Sequence, residues 1–359
     1  MPRGTGTVGD FAAWQEGPPV SQLGEFEVIA RIRSKIAGRA TSAGSPGAHG
    51  AIVQGIGDDA SLLRLPPGWD LLWTCDIQME GCHFLREWMA PREVGARCAE
   101  VNLSDIAAMG GQPVAVLVSL GLPAQLRIGA LEQIYDGVID AFARHGAVVA
   151  GGNVSKSETL FLDLTVLGRV EEGRALRRSG AKPGDVVFVT GWPGRAAAAV
   201  AALGAGKGIL NEEGRERLRA SYAAPRARVD VGRYLVENGI ASAAIDQSDG
   251  VVGDLAHICE ESGVGIVLEE RLLPVDEDLV RLAAALEVDP LSWILGASDD
   301  YELLFTVPRA AVDPVFALPV ETGVTATPVG EVVDGPQEVL LGAGGGDLRR
   351  FKGGWDHLA

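Results

Sequence analysis

The chain carries acidic residues where chemistry, rather than solvation, needs them. The segment Gly55-Ile56-Gly57-Asp58-Asp59 sets two carboxylates side by side in a turn, and Asp76, Asp105, Asp246, Asp249, Asp299 and Asp300 follow, three of them directly after a serine. Adjacent like charges repel by roughly 1 kcal/mol in water and about 4 kcal/mol at an effective dielectric near 20, so the set as a whole looks built to hold cations, while Asp58-Asp59 taken alone also fits an acidic surface turn. Oxygen ligands of this kind suit hard divalent ions and the phosphates they escort. Gly55-Ile56-Gly57-Asp58-Asp59-Ala60 matches the letters of a dinucleotide turn. However, no clear helix follows it, and two acids would face a pyrophosphate with no cation between them. No GxxxxGK[ST] segment is present, and Gly204-Ala205-Gly206-Lys207-Gly208 lacks both the spacing and the terminal hydroxyl. A nucleotide bound here would be held through several Mg²⁺ ions. No Ser/His/Asp or Cys/His set stands out among the five histidines.

The elements that must position these acids are readable from periodicity. Glu25 to Ile36 has helical spacing, and Leu71 to Thr74 reads as a buried strand running into Cys75-Asp76. Pro91 starts a helix that stops at Gly110-Gly111, with Val94, Cys98, Val101 and Asp105 on one stripe. A carboxylate on an apolar stripe must meet a metal or a partner, the alternative being a buried ion pair with an arginine. Val114 to Leu120 and Leu160 to Leu167 read as strands, Ile128 to His145 as an amphipathic helix, and Ala147 to Ala150 as a short strand entering Gly151-Gly152-Asn153. Further on, a strand over Asp185 to Thr190 precedes an Ala-rich helix from Arg195, with another helix over about Arg226 to Glu237. The strand Ala241 to Ile245 leads into Asp246-Gln247-Ser248-Asp249-Gly250 and a helix from Val251 to Glu261, for which Asp249 also suits an N-cap. Leu291 to Leu295 reads as helix and Tyr301 to Val307 as strand.

A chain of 359 residues exceeds one ordinary core. The pattern gives a loose extension over 1–22, an α/β domain over 23–172 and an α+β domain over 173–359. A net charge of −17 argues against a nucleic-acid partner. The four cysteines form no CxxC pair, and no apolar run is long enough to span a membrane. With Asp10 and Glu16 in the first stretch, no signal peptide is expected, and the reading is cytoplasmic.

The matching motifs run in order along the chain. They are Gly24-Glu25-Phe26-Glu27, the Gly55 to Ala60 turn, Val101-Asn102-Leu103-Ser104-Asp105-Ile106-Ala107-Ala108-Met109-Gly110, Arg178-Ser179-Gly180-Ala181-Lys182-Pro183-Gly184-Asp185, Ile245 to Gly250, Asp300-Tyr301-Glu302-Leu303-Leu304-Phe305 and Gly354-Trp355-Asp356-His357. Together they resemble the thiamine-monophosphate kinase family, in the superfamily of aminoimidazole ribonucleotide synthetase and selenophosphate synthetase. The resemblance implies a two-domain synthetase-like fold whose N-terminal domain pairs strands across a homodimer, with a cleft between the domains. It implies Mg²⁺-assisted transfer of the γ-phosphoryl of ATP to thiamine monophosphate. Metal ligands would be Asp59, Thr74, Cys75 through its backbone, Asp76, Asp105, Asp246 and Asp249, with Asp76, Asp105 and Asp249 central to catalysis. Gly152, Asn153, Arg178 and Ser248 would contact ATP, and His83, Asp299 and Trp355 the thiamine end.

This chain departs from the family pattern in places. Gly151-Gly152-Asn153 stands where Gly-Gly-Asp is usual, Ala297-Ser298-Asp299-Asp300 where Gly-Gly-Glu-Asp is typical, and Cys75 replaces a usual Thr. Two alternatives therefore stay open: another ATP-dependent enzyme of the superfamily, or a catalytically weakened binder of nucleotide or thiamine phosphate.

Overall fold

The structure is a computed structural model that describes residues 12–40, 52–54, 60–205, 209–342 and 348–351. The chain divides into two compact units, the first running to Ile106 and from Gln112 to Gly173, the second comprising Ala107–Gly111 and the residues from Arg174 onward.

In the first unit the order is α1 (Glu25–Ala40), β1 (Ile52–Gln54), β2 (Leu62–Leu63), β3 (Trp69–Met79), α2 (Pro91–Ala108), β4 (Gln112–Leu122), α3 (Ile128–Ala143), β5 (Val148–Lys156) and β6 (Phe161–Glu171). Four strands form a mixed sheet in the order β3-β6-β4-β5, with only the β4/β5 pair parallel, while β1 and β2 make a separate ribbon. Helix α2 starts where Pro91 predicts, and the Glu93 carboxylate accepts a 2.8 Å hydrogen bond from the Ala90 amide to cap it. The sheet's inner rows, Leu162, Leu164 and Val166, are fully buried, and Cys98 of α2 reaches the Leu162 carbonyl.

Two expectations for this unit need correction. Leu71 to Thr74 is not a buried strand: β3 is a longer edge strand, so Asp76 lies inside it rather than at its end. Its side chains alternate, Leu72 and Gln78 inward, Trp73 (69% exposed), Leu71 and Ile77 outward. Residues 12–22 are not loose either. Trp14 is buried and its indole N–H donates to the Met89 carbonyl at 2.9 Å, and the Gly129 and Ile128 amides bond to the carbonyls of Glu16 and Pro18. Composition hid this strap, because short 3₁₀ turns with one apolar anchor have no periodicity to detect.

The second unit contains β7 (Val186–Thr190), α4 (Arg195–Ala205), α5 (Glu212–Ala223), α6 (Val229–Asn238), β8 (Ala243–Asp246), α7 (Val251–Ser262), β9 (Gly265–Glu269), α8 (Glu277–Leu286), α9 (Leu291–Ile294), β10 (Leu303–Val307), α10 (Leu318–Thr322), β11 (Ala326–Val333), β12 (Val339–Gly342) and β13 (Leu348–Arg350). Its seven strands order β13-β12-β9-β11-β7-β10-β8, and β12/β9 is the parallel pair. Every residue of β10 is buried, and Phe305 stacks on Phe188 of β7 with centroids 5.4 Å apart. The architecture is α/β followed by α+β, as expected from the order of elements.

The placement of α2, and so of every acid on it, depends on how closely it meets α3. A Cβ on Gly95 would lie 1.9 Å from the Ile134 carbonyl oxygen, and one on Gly137 would lie 2.0 Å from that of Arg92. The helices therefore touch backbone to backbone. Gly95→Ala should push them apart and destabilise the protein by about 1–3 kcal/mol, the usual cost of overpacking, despite Ala's better helix propensity. Urea unfolding checks this, and a midpoint equal to wild type would refute the close crossing.

Candidate functional site

The first cluster forms where β3 runs alongside α2. Period-two alternation points Thr74, Asp76 and Gln78 of β3 toward α2, and each finds a partner there. The Thr74 hydroxyl donates to Asp105, and Arg97 Nε donates to Gln78 Oε1 at 3.2 Å. Asn102 works on the backbone: its Oδ1 accepts the Asp76 N–H at 3.0 Å and its Nδ2 donates to the Asp76 carbonyl at 3.4 Å. The amide thus takes the place of a neighbouring strand at this point of the sheet edge. Asp76 is held far above the ordinary carboxylate range, first by burial, then by the charge of Asp105 and a hydrogen bond between the two carboxyls, with a smaller push from Asp163. The acid on the apolar stripe, Asp105, meets a hydroxyl and a second acid. Such a pair shares a proton or takes up a cation.

The second cluster surrounds α7. Asp246 ends β8, and Gly250, with φ of 97°, turns the chain into the helix. Asp249 is not the N-cap; Gly250 occupies that position without a side-chain bond. The turn is instead organised from inside the helix. Asp254 Oδ2 accepts the amides of Ser248 and Asp249 at 3.1 and 3.0 Å. Burial, with the charges of Asp246 and Asp249, pushes Asp254 up to about 8, against the lowering effect of those two amides. Sequence reasoning missed Asp254, although it sits among Val251, Leu255 and Ile258 on a buried stripe and the argument used for Asp105 applies to it unchanged.

A third carboxylate, Asp300, supports the neighbouring loops. It accepts the Gly194 and Ala196 amides at the start of α4 at 2.5 and 2.8 Å, and Gln247 Nε2 at 2.9 Å. Burial raises it to about 6, with those amides and Ser298 opposing. Tyr301 beside it adopts a positive φ of 54°, and its amide bonds to the Gln247 carbonyl. Glu302 is paired with Arg228 and the Thr190 hydroxyl.

The remaining candidates are more dispersed. Gly152 and Asn153 lie within β5 rather than beyond it, opposite Val118 and Ser119 of β4. Registry places Asn153 in one row with Ser119, Asp163 and Ile77, on the sheet face opposite Asp76. The Cys75 side chain is on that outer face too, its thiol 2.9 Å from Asp163 Oδ1. His83, in the loop after β3, accepts the Met79 amide through Nδ1 at 3.1 Å. Arg178 is exposed in a loop whose carbonyl accepts the Ser262 hydroxyl, and Asp299 is half-buried beside Asp300. Asp59 and Trp355 lie outside the described residues. Among the described residues, no three His, Cys, Asp or Glu side chains gather closely enough to hold a metal ion alone. Asp76 with Asp105, and Asp246 with Asp249, each offer two hard oxygen donors. That suffices for an ion whose other ligands are water and substrate phosphate.

Relatives of the chain share its two-domain organisation. Residues 57–170 match the AIR synthase related protein N-terminal domain family and residues 182–342 the corresponding C-terminal domain family. The chain is 33% identical over 336 residues to the thiamine-monophosphate kinase of Mycobacterium tuberculosis, covering 93% of this chain and 92% of that one. The chain belongs to the thiamine-monophosphate kinase family. The crystal structure of the enzyme from Stenotrophomonas maltophilia superposes with a TM-score of 0.77 at 32% identity, covering 89% of this chain and 96% of that one. AaThiL complexed with AMPPCP and TMP superposes at 0.72 and 32% identity, covering 94% and 97%. Asp105 of Asn102-Leu103-Ser104-Asp105 lies in the first cluster beside Asp76, and Asp246 and Asp249 of Asp246-Gln247-Ser248-Asp249-Gly250 lie in the second beside Asp254.

Crowded acids give a signed pH dependence. A carboxyl raised in the folded state stabilises below its unfolded value and loses that stability as pH rises through its folded one. For Asp254 the window runs from 3.8 to about 8. In chelator, the melting temperature should fall between about pH 5 and about pH 8 more steeply in wild type than in Asp254→Asn. Equal slopes would show that the crowding of Asp246, Asp249 and Asp254 is not felt.

Proposed function

We propose that the protein phosphorylates thiamine monophosphate with ATP to give thiamine diphosphate, by direct Mg²⁺-assisted transfer. The observation that carries this is the desolvated Asp76–Asp105 pair, built by β3 and α2 in a chain related over nearly its whole length to AaThiL complexed with AMPPCP and TMP. Two carboxyls that repel each other in a partly dry site are stabilised by a divalent ion, and phosphoryl transfer needs that ion to spread the charge of the transferring group. The acceptor phosphate is already ionised near neutral pH, so positioning and charge neutralisation suffice and no general base is required. Asp246 and Asp249 supply a second anionic set, and Thr74 a neutral oxygen beside Asp105.

A product assay with ATP, Mg²⁺ and thiamine monophosphate tests the reading. Thiamine diphosphate should form, free thiamine should be a poor acceptor, and Asp105→Asn should lower the rate by about two orders of magnitude or more with the fold retained. Equal turnover of free thiamine would overturn the substrate, and an Asp105→Asn protein of full activity would overturn the role of the pair. Asn153 brings a neutral carbonyl where the family pattern has a carboxylate, on the face away from Asp76. A metal bound beside it would be held less tightly than by an acid.

The working unit in this reading is a cytoplasmic homodimer. Among the described residues no helix is long and apolar enough to cross a membrane. Leu71, Trp73, Ile77 and Leu117 leave exposed apolar side chains on the outer sheet face of the first unit, a surface that suits a second copy. Sedimentation should give twice the 37.5 kDa chain mass, and Trp73→Glu should shift it toward the monomer. A wild-type monomer at micromolar concentration would count against this surface as a dimer contact.

A further inference from the structure

Helix α7 has an ordering contact at each end, and only the one at its start adjoins the acids. At its C-terminal end, Ser262 is the last helical residue, followed by Gly263 in the left-handed conformation that stops the helix. The Ser262 hydroxyl makes three hydrogen bonds to one distant turn. It accepts the Gly180 and Ala181 amides at 3.1 and 3.2 Å and donates to the Arg178 carbonyl at 3.0 Å. A hydroxyl has one proton and two lone pairs, so this turn uses its whole capacity. The turn has little freedom elsewhere: the Arg177 carbonyl accepts the Ala244 amide at 2.8 Å, and Gly180, with φ of 124°, sits so that a Cβ would lie 2.4 Å from the Ser242 carbonyl oxygen. Arg178 itself projects exposed from this otherwise fixed backbone.

At the other end, Asp254 accepts the Ser248 and Asp249 amides. A helix of 12 residues is about 18 Å long and stiff, so the two turns are held at a set separation by one rod. We infer that Ser262 is a positioning residue for Arg178, and that α7, gripped by Ser262 and Asp254, works with β8, whose Ala244 amide holds the same turn, to set the distance between Arg178 and the Asp246–Asp249 carboxylates. This rests on the proposed function and on the expectation, carried by the family resemblance, that Arg178 contacts the ATP whose phosphates the metal-bearing acids would engage. The guanidinium is suited to a phosphate oxygen only when its backbone is fixed, because its own side chain is long and mobile. Ser262 supplies three of the hydrogen bonds that fix this turn, beside the Arg177–Ala244 bond, and does so without touching the ligand.

The test compares Ser262→Ala with Ser262→Thr in the full-length protein. Ala removes all three bonds; Thr keeps the hydroxyl. Ser262→Ala should raise the KM for ATP by about three- to tenfold, the scale of losing a few neutral hydrogen bonds, with the KM for thiamine monophosphate within twofold of wild type. Ser262→Thr should recover most of the loss. A purely structural role would lower the melting temperature without this split between the two substrates. Equal changes in both KM values, or a Thr variant no better than Ala, would overturn the inference. Calorimetric titration with Mg·ADP separates the two readings: it should show weaker binding by the Ala variant even in a protein that does not phosphorylate thiamine monophosphate. Unchanged Mg·ADP binding would sink the positioning role on its own.

Discussion

Everything in the first unit's site follows from holding two carboxylates together against their repulsion. Asp76 and Asp105 come from different elements, so neither local sequence nor helix propensity can enforce the meeting. It is enforced by geometry: an edge strand presents every second side chain to α2, and Asn102 locks the strand's backbone to that helix at Asp76 itself. The close α2–α3 crossing through Gly95 and Gly137 then fixes the helix from behind. A pair of partly dry acids raises the free energy of the empty protein. In the proposed reading a bound cation would relieve that cost and so couple folding strength to ligand binding.

The second unit solves a similar problem with backbone amides. Asp254 and Asp300 are each buried, and each accepts two main-chain N–H groups, Asp254 from the acidic turn after β8 and Asp300 from the start of α4. Gln247 links the two systems, its amide nitrogen on Asp300 and its backbone bonded to Tyr301 and Glu302. Its side-chain oxygen is buried with no hydrogen-bond partner, a group that costs about 1–3 kcal/mol if left dry. The loops after β8 and before β10 are thus ordered by acids that need not touch substrate.

Local signals in the sequence carried what is local. Pro91 and Gly110 bound α2 correctly, and the acid on its stripe pointed to the site because an apolar stripe cannot tolerate a lone charge. The errors arose where long-range pairing decides. Local pattern puts Asp76 at a strand end, yet partner β6 extends β3 through to Met79, and β4 likewise draws Gly151 to Asn153 into β5. Trp73 looked like core because apolar runs do not reveal an outward face. Asp249 fitted a cap by spacing, but the cap position went to a glycine whose positive φ only the turn geometry reveals.

The absence of a histidine or serine centre among the candidate residues follows from the acceptor's chemistry. A hydroxyl acceptor must lose a proton as it attacks, so enzymes that phosphorylate alcohols place a base near it. A phosphate monoester arrives with its nucleophilic oxygen already anionic, and the difficulty becomes bringing two polyanions together. That difficulty is electrostatic, and a chain with a net charge of −17 makes it worse everywhere except where cations are bound. In the proposed reading the paired aspartates would do indirect work: they would hold divalent ions, and the bound charge would reverse the local sign. Selectivity for an ionised acceptor would then arise from the same charges that hold the metal, because only an anionic acceptor gains from a reversed field.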